Sequence, residues 1–133
     1  MAIILDTDVI IRGERGTFNL SRWLAAEKDE EIQIAAITIA ELWHGVERAS
    51  SAYRVERQDY LRKMLGLVNI LPYTETTAFE HARIWAALES SGKMIGFYDL
   101  IVAATALEHG FAVATFNRRH FSQVPRLKVI EPR

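Results

Sequence analysis

The stretch Ala2-Ile3-Ile4-Leu5-Asp6-Thr7-Asp8 decides how the rest of the chain is read. Four consecutive apolar residues stopped by an acid do not alternate, so they predict a strand covered on both faces. Strands of that kind belong to parallel sheets wrapped in helices. Similar short runs recur at 32–37, 68–71 (closed by Pro72), 112–116 and 127–130. Between them lie segments with helical spacing: a short one at 20–27, then 38–49, 53–67, 76–91 and 98–109. Ser91-Gly92 and Gly110 supply stop signals for the last two. The 98–109 segment is apolar almost all round, which predicts a helix buried on several sides. Strands alternating with helices predict an α/β protein, a three-layer α/β/α sandwich with a mainly parallel central sheet.

The 133 residues are room for one domain, expected over 1–133, and no repeat, low-complexity tract or linker divides them. Cysteine is absent. That excludes disulfides, thiolate zinc sites and cysteine nucleophiles, and suits a reducing compartment. No apolar run reaches the ~18 residues of a membrane span. The N-terminus lacks the basic region of a signal peptide, so a cytoplasmic protein without membrane contact is expected. The formal net charge of −1 gives no sign of a polyanionic partner. Position changes that picture: the segments 48–63 and 118–133 are net basic, and arginine far outnumbers lysine in the chain. Arginine suits bidentate contact with phosphate, which makes Arg48, Arg54, Arg118 and Arg119 candidates for such contacts. A solvated face is the plainer account of both segments.

In an open α/β sheet, ligands bind outside the carboxyl ends of the strands, so the residues that follow each strand carry the functional information. Asp6 and Asp8 follow the first strand, and one of them, more naturally Asp8, caps the next helical turn. Glu41 follows the second strand. It reads either as the far end of a Thr38-x-x-Glu41 capping box, a pattern repeated at Thr77-x-x-Glu80, or as a second acid at the same edge. Asp99 heads the most apolar helix. It interacts favourably with the helix dipole there, but burying its charge unpaired is costly unless a cation or a wet pocket receives it. Thr115 and Asn117 add oxygens after the fourth strand, and His120 adds an imidazole. Three gathered carboxylates stay ionised together only with a cation among them. An all-oxygen donor set without cysteine or paired histidines selects Mg²⁺ or Mn²⁺ over Zn²⁺. Such a centre flanked by arginines fits phosphoryl chemistry.

Leu5-Asp6-Thr7-Asp8, Ile39-Ala40-Glu41-Leu42, the run from Tyr98-Asp99 to Ala106, and Thr115-Phe116-Asn117-Arg118-Arg119-His120-Phe121 resemble, in order and spacing, the motifs of PIN-domain ribonucleases. The likeness is greatest to the VapC-type toxins of bacterial toxin–antitoxin pairs, and it spans the chain. The resemblance implies a Mg²⁺- or Mn²⁺-dependent endoribonuclease in which Asp6, Glu41 and Asp99 hold metal and orient a water for in-line attack on an RNA phosphodiester. The products it implies carry 5′-phosphate and 3′-hydroxyl ends. Thr7 and Thr115 match hydroxyls beside the acids. Many relatives have a fourth acid in the last motif, where this chain has Asn117 and His120, which puts a second metal position in question. The family also implies a homodimer and a small antitoxin seated in an apolar groove, for which Trp43, Tyr53, Tyr60 and Met64 are candidates, with the core as their other destination.

Two rivals remain open. Ile4-Leu5-Asp6-Thr7-Asp8-Val9 also resembles the opening motif of haloacid-dehalogenase-type phosphatases, with Asp6 as nucleophile, but no later Gly-Asp-x-x-x-Asp or Asp-Asp follows. A non-catalytic PIN-like module binding RNA or protein is the other.

Overall fold

The computed structural model describes residues 2–133; Met1, part of the N-terminal reading, lies outside the described residues. Strands β1 (Ala2–Leu5), β2 (Glu31–Ala35), β3 (Asn69–Leu71), β4 (Ala112–Ala114) and β5 (Val129–Ile130) form a five-stranded sheet in the order β3-β2-β1-β4-β5. Every neighbouring pair is parallel, with Ile3 in register with both Ile32 and Ala112. The helices are α1 (Thr7–Arg15), α2 (Leu20–Ala26), α3 (Ala36–Arg48), α4 (Ser51–Leu65), α5 (Glu75–Ser90), α6 (Phe97–His109) and the short α7 (Arg118–Phe121).

The unbroken apolar run of β1 is explained by what covers it. Ile4 joins Val113, Leu88, Val102 and Phe121 in a core on the α5–α6 side. Ile3 and Leu5 face the opposite core with Val9, Ile10, Leu42, Val46 and Leu61. Alternate side chains therefore enter two separate cores, and neither face is left for solvent. The result is the expected three-layer α/β/α sandwich. Among the described residues no helix is long and apolar enough to cross a membrane.

The differences from the sequence reading have local causes. The helical turn expected after β1 extends into the nine-residue helix α1, which runs over the aliphatic stretch Val9-Ile10-Ile11. Asp6 starts the helix, capping it by accepting a hydrogen bond from the Thr7 amide at 2.8 Å. Asp8 is thus not the cap but a residue of the first turn. The second strand ends at Ala35 rather than Ile37, because α3 begins at Ala36 and needs its first turn to bury Thr38. The Thr38–Glu41 capping box does not form: Thr38 lies inside the helix with its hydroxyl buried and unpartnered, and Glu41 turns elsewhere. The second anticipated box forms three residues earlier, with Thr74 as cap and Thr77 as its reciprocal partner. Helix α7 was missed. It is a single turn, held by the fully buried Phe121.

Gly13 sets how closely α1 approaches α2 and α4. A Cβ there would lie 2.8 Å from Leu20 Cβ and 2.7 Å from the Tyr60 hydroxyl. Leu20 is buried and fixed at the start of α2, so the clash cannot be relieved by rotating a loose side chain. Gly13→Ala should therefore destabilise the protein by about 1–3 kcal/mol despite the better helix propensity of alanine. Urea denaturation checks this, and a stabilised variant would contradict the packing account.

Candidate acidic site at the carboxyl edge of the sheet

Four carboxylates meet where β1 and β4 end. Asp6 leaves β1 directly, and its two oxygens are held from opposite sides. Oδ1 accepts from the Thr7 amide, and Oδ2 accepts from the Thr115 hydroxyl at 2.8 Å. The Thr115 hydroxyl in turn accepts from the Asn117 amide at 2.9 Å, which fixes its direction. Thr7 also donates its hydroxyl to Glu41 Oε1 at 2.7 Å. One threonine thereby ties β1's exit to α3. Asp99 lies in the first turn of α6. No strand precedes it, unlike the other acids. It reaches this edge because α6 runs back towards the start of β4, leaving its own N-terminus at the strands' carboxyl ends. Gly96 caps α6 beside it; a Cβ there would sit 3.4 Å from Asp99 Oδ2.

Asp8 is the acid that the sequence reading passed over. One turn into α1, its Oδ2 accepts from the Phe116 amide at 3.1 Å, while its Oδ1 is buried without a hydrogen-bond partner. The Asp-x-Asp spacing was visible, but only the true helix start shows that both acids serve one edge.

The electrostatics follow from crowding in a dry place. Burial raises the proton affinity of Asp6, and the charges of Asp8 and Asp99 raise it further, against the hydrogen bonds from Thr115 and Thr7; together they lift its pKa to about 7. Burial likewise raises Asp8, Glu41 and Asp99 above the usual carboxylate range. The charge of Asp99 adds to the rise at Asp8 and Glu41. His120 offsets the rise at Asp99, its Nδ1 lying 3.9 Å from Asp99 Oδ2, a contact that carries charge when the imidazole is protonated. Asn117 holds that imidazole nitrogen at 2.9 Å.

Among the described residues no three such side chains are already drawn into a metal-holding arrangement. The donor chemistry nevertheless fits a hard cation. All four groups are oxygen acids, each is disfavoured as an isolated anion, and one buried oxygen has no partner.

The arginines divide. Arg118 and Arg119 open α7 at this edge and are exposed. Arg48 lines a cavity of ≈ 340 Å³ together with Arg15, Arg57 and Glu41. Arg54 is exposed and donates through Nη2 to the Glu47 and Ala49 carbonyls at the end of α3. Arg12 was not singled out, yet its charge lowers the Asp8 pKa against burial, and its guanidinium lies 4.2 Å above the Phe116 ring. Of the groove candidates, Tyr53 and Tyr60 line a cavity of ≈ 460 Å³ on α4. Trp43 is half-buried under Arg62. Met64 is corrected to the core, where it packs with Leu61 and Val46.

An all-parallel α/β/α sandwich with carboxylates converging at its carboxyl edge is the architecture of a PIN-type domain. The chain belongs to the PIN domain family, whose sequence profile matches residues 3–127. The relatives include Ribonuclease VapC1 of Rickettsia felis, 30% identical over 98% of this chain and 96% of that one. Ribonuclease VapC10 of Mycobacterium tuberculosis is 32% identical over 95% and 90%. Among solved structures, FitAcB from Neisseria gonorrhoeae superposes with a TM-score of 0.82 at 30% identity, covering 97% of this chain and 96% of its own. VapBC2 from Rickettsia felis, bound to a DNA fragment from its promoter, has the same fold, with a TM-score of 0.92 at 24% identity and full coverage of both chains. The family assignment removes the haloacid-dehalogenase alternative.

The raised carboxylates make stability depend on pH. Asp6 binds its proton more tightly in the folded state (about 7) than unfolded (3.8). Its contribution is therefore complete below pH ~4 and is lost as pH climbs towards 7. In EDTA the melting temperature should fall across that window, by an amount corresponding to a few kcal/mol. Asp6→Asn should flatten the fall, and saturating Mg²⁺ or Mn²⁺ should restore the wild type at pH ~8. Parallel curves for wild type and variant, with no response to either cation, would remove the electrostatic account.

Proposed function

We propose that this chain is a divalent-metal-dependent endoribonuclease, the toxin of a toxin–antitoxin pair, acting in the cytoplasm as a single PIN-like unit and silenced by a small cognate antitoxin. The observation that carries the reading is the cluster of Asp6, Asp8, Glu41 and Asp99, four acids held on one edge although each resists ionisation there. Structural carboxylates are normally placed where their charge is welcome, and a gathering that costs stability is a mark of function. The names of the VapC relatives support the activity, and the toxin–antitoxin complexes among the structural neighbours support the partner. The homodimer belongs to the same proposal.

Asp6, Asp8, Glu41 and Asp99 would hold Mg²⁺ or Mn²⁺. Bound there, the cation supplies the positive charge that lets the acids ionise together, and the Lewis acidity that activates water against a phosphodiester. The chain's own groups do the positioning. Thr7 locks Asp6 to Glu41 through one amide and one hydroxyl, so the two carboxylates cannot swing apart. Thr115 holds the second oxygen of Asp6. Arg118 and Arg119, exposed at the same edge, are placed to meet backbone phosphates, an interaction that steers RNA of any sequence.

The test is cleavage of total RNA or of short oligoribonucleotides with Mg²⁺ or Mn²⁺. Asp6→Asn and Asp99→Asn should lower the cleavage rate at least ~100-fold, the scale on which an aimed electrostatic group acts. Asp8→Asn should also slow it. Variants as active as wild type would sink the assignment. Absence of any cleavage by wild type, with tight capture of a small partner protein, would favour the non-catalytic module.

A further inference from the structure

Beside the acids lies a cavity of ≈ 420 Å³ lined by Ala40, Glu41, His44 and Tyr98. Its size falls within the ~300–1,000 Å³ of small-molecule pockets. Ala40 and His44 are one turn apart on α3, and the small side chain of Ala40 leaves the space open. Tyr98 enters from the first turn of α6, immediately before Asp99, with its ring half-exposed. The lining has no lysine or arginine and includes the Glu41 carboxylate, so it repels rather than welcomes a phosphate. A flat, uncharged group with hydrogen-bonding edges fits: an aromatic face for stacking, and an imidazole and a phenol for polar contact.

Two features tie this cavity to the acidic site. Glu41 also lines the neighbouring cavity, where Arg15 and Arg48 supply the positive charge and Arg57 is paired with Glu14. An aromatic recess and a basic recess thus meet at one of the clustered acids, matching the alternation of base and phosphate along a single strand of nucleic acid. The Tyr98 ring is also braced. It packs edge-to-face on Phe97 at 5.7 Å, Phe97 packs on His81 at 6.1 Å, and His81 stacks on Trp85 at 5.7 Å. A ring held this way loses little freedom when a base stacks on it.

We propose that Tyr98 and His44, with Ala40 as the floor, form a binding subsite for the nucleobase adjoining the scissile phosphate, so that seating a base positions the phosphodiester at the acids. This rests on the ribonuclease reading and adds a positioning role for two residues outside the acid cluster.

The test separates the two. Protein carrying Asp6→Asn should hold RNA without cutting it, and fluorescence anisotropy in Mg²⁺ compares short oligoadenylate and oligouridylate with an abasic ribose-phosphate chain of equal length. The parent should prefer the base-bearing strands by about 5- to 100-fold, the range of one stacked base. Tyr98→Ala and Ala40→Leu should erase most of that preference while leaving abasic binding unchanged. His44→Ala should reduce it, and Tyr98→Phe should retain it. All three altered positions are exposed, and matched melting temperatures would show that the fold survives. A parent with no preference, or variants that keep it or weaken abasic binding equally, would overturn the subsite. Cleavage by otherwise wild-type protein is scored separately. Erased preference with no cleavage by wild type would keep the subsite and discard the nuclease. Cleavage with a KM unmoved by Tyr98→Ala would keep the nuclease and discard the subsite.

Discussion

Four carboxylates share one desolvated edge, and the rest of the molecule is organised around keeping them there. Repulsion alone would drive them apart or protonate them. Fixed donors oppose this: the Thr7 amide and hydroxyl, the Thr115 hydroxyl and the Phe116 amide. Each donor is itself immobile, because Thr7 opens α1, and both Thr115 and Phe116 lie just past the end of β4. Two backbone amides and two threonine hydroxyls together confine the charge.

The parallel sheet is the economical way to provide such a backbone. Every strand ends on the same side, so the helices that follow β1 and β2 begin together, and α6 points its head there by returning to β4. Two cores, one on each face of β1, fix these helices independently. Ile4 anchors one and Leu5 the other, both fully buried. A change in either core shifts one part of the acid cluster relative to another, which makes core packing and site geometry a single problem in this fold.

Much of this was legible in the sequence for a physical reason: β1 has no polar position, and only a doubly covered strand tolerates that. The same logic found the strand ends and three of the acids. What stayed hidden depended on contacts between distant segments. Thr38-x-x-Glu41 obeys a local capping rule, yet Thr7, 34 positions away from Glu41, offers its carboxylate a stronger partner. Asp8 has the right type and place for a helix cap, yet Asp6 takes that role and Asp8 accepts instead from the distant Phe116 amide. Met64 has the right type for an exposed groove, but it lies on the inward face of α4. Local rules failed where tertiary hydrogen bonds or burial outweighed them.

Asp8 alters how the last motif should be understood. The resemblance to PIN-domain ribonucleases implied a missing fourth acid at Asn117 and His120, which taken alone suggests a depleted site. Asp8 brings a fourth carboxylate into the cluster from α1 instead, with one buried oxygen free of hydrogen bonds. Asn117 and His120 then take a different part: the imidazole, in contact with Asn117, sits at ion-pair distance from Asp99 and, when protonated, lowers the energy of its anion. Negative charge is thereby concentrated on the β1–α1 side and relieved on the α6–α7 side. That gradient runs from the most strongly perturbed carboxylate, Asp6, towards the exposed Arg118 and Arg119. It gives a polyanionic strand a side from which to approach, even though the chain as a whole carries a net charge of only −1.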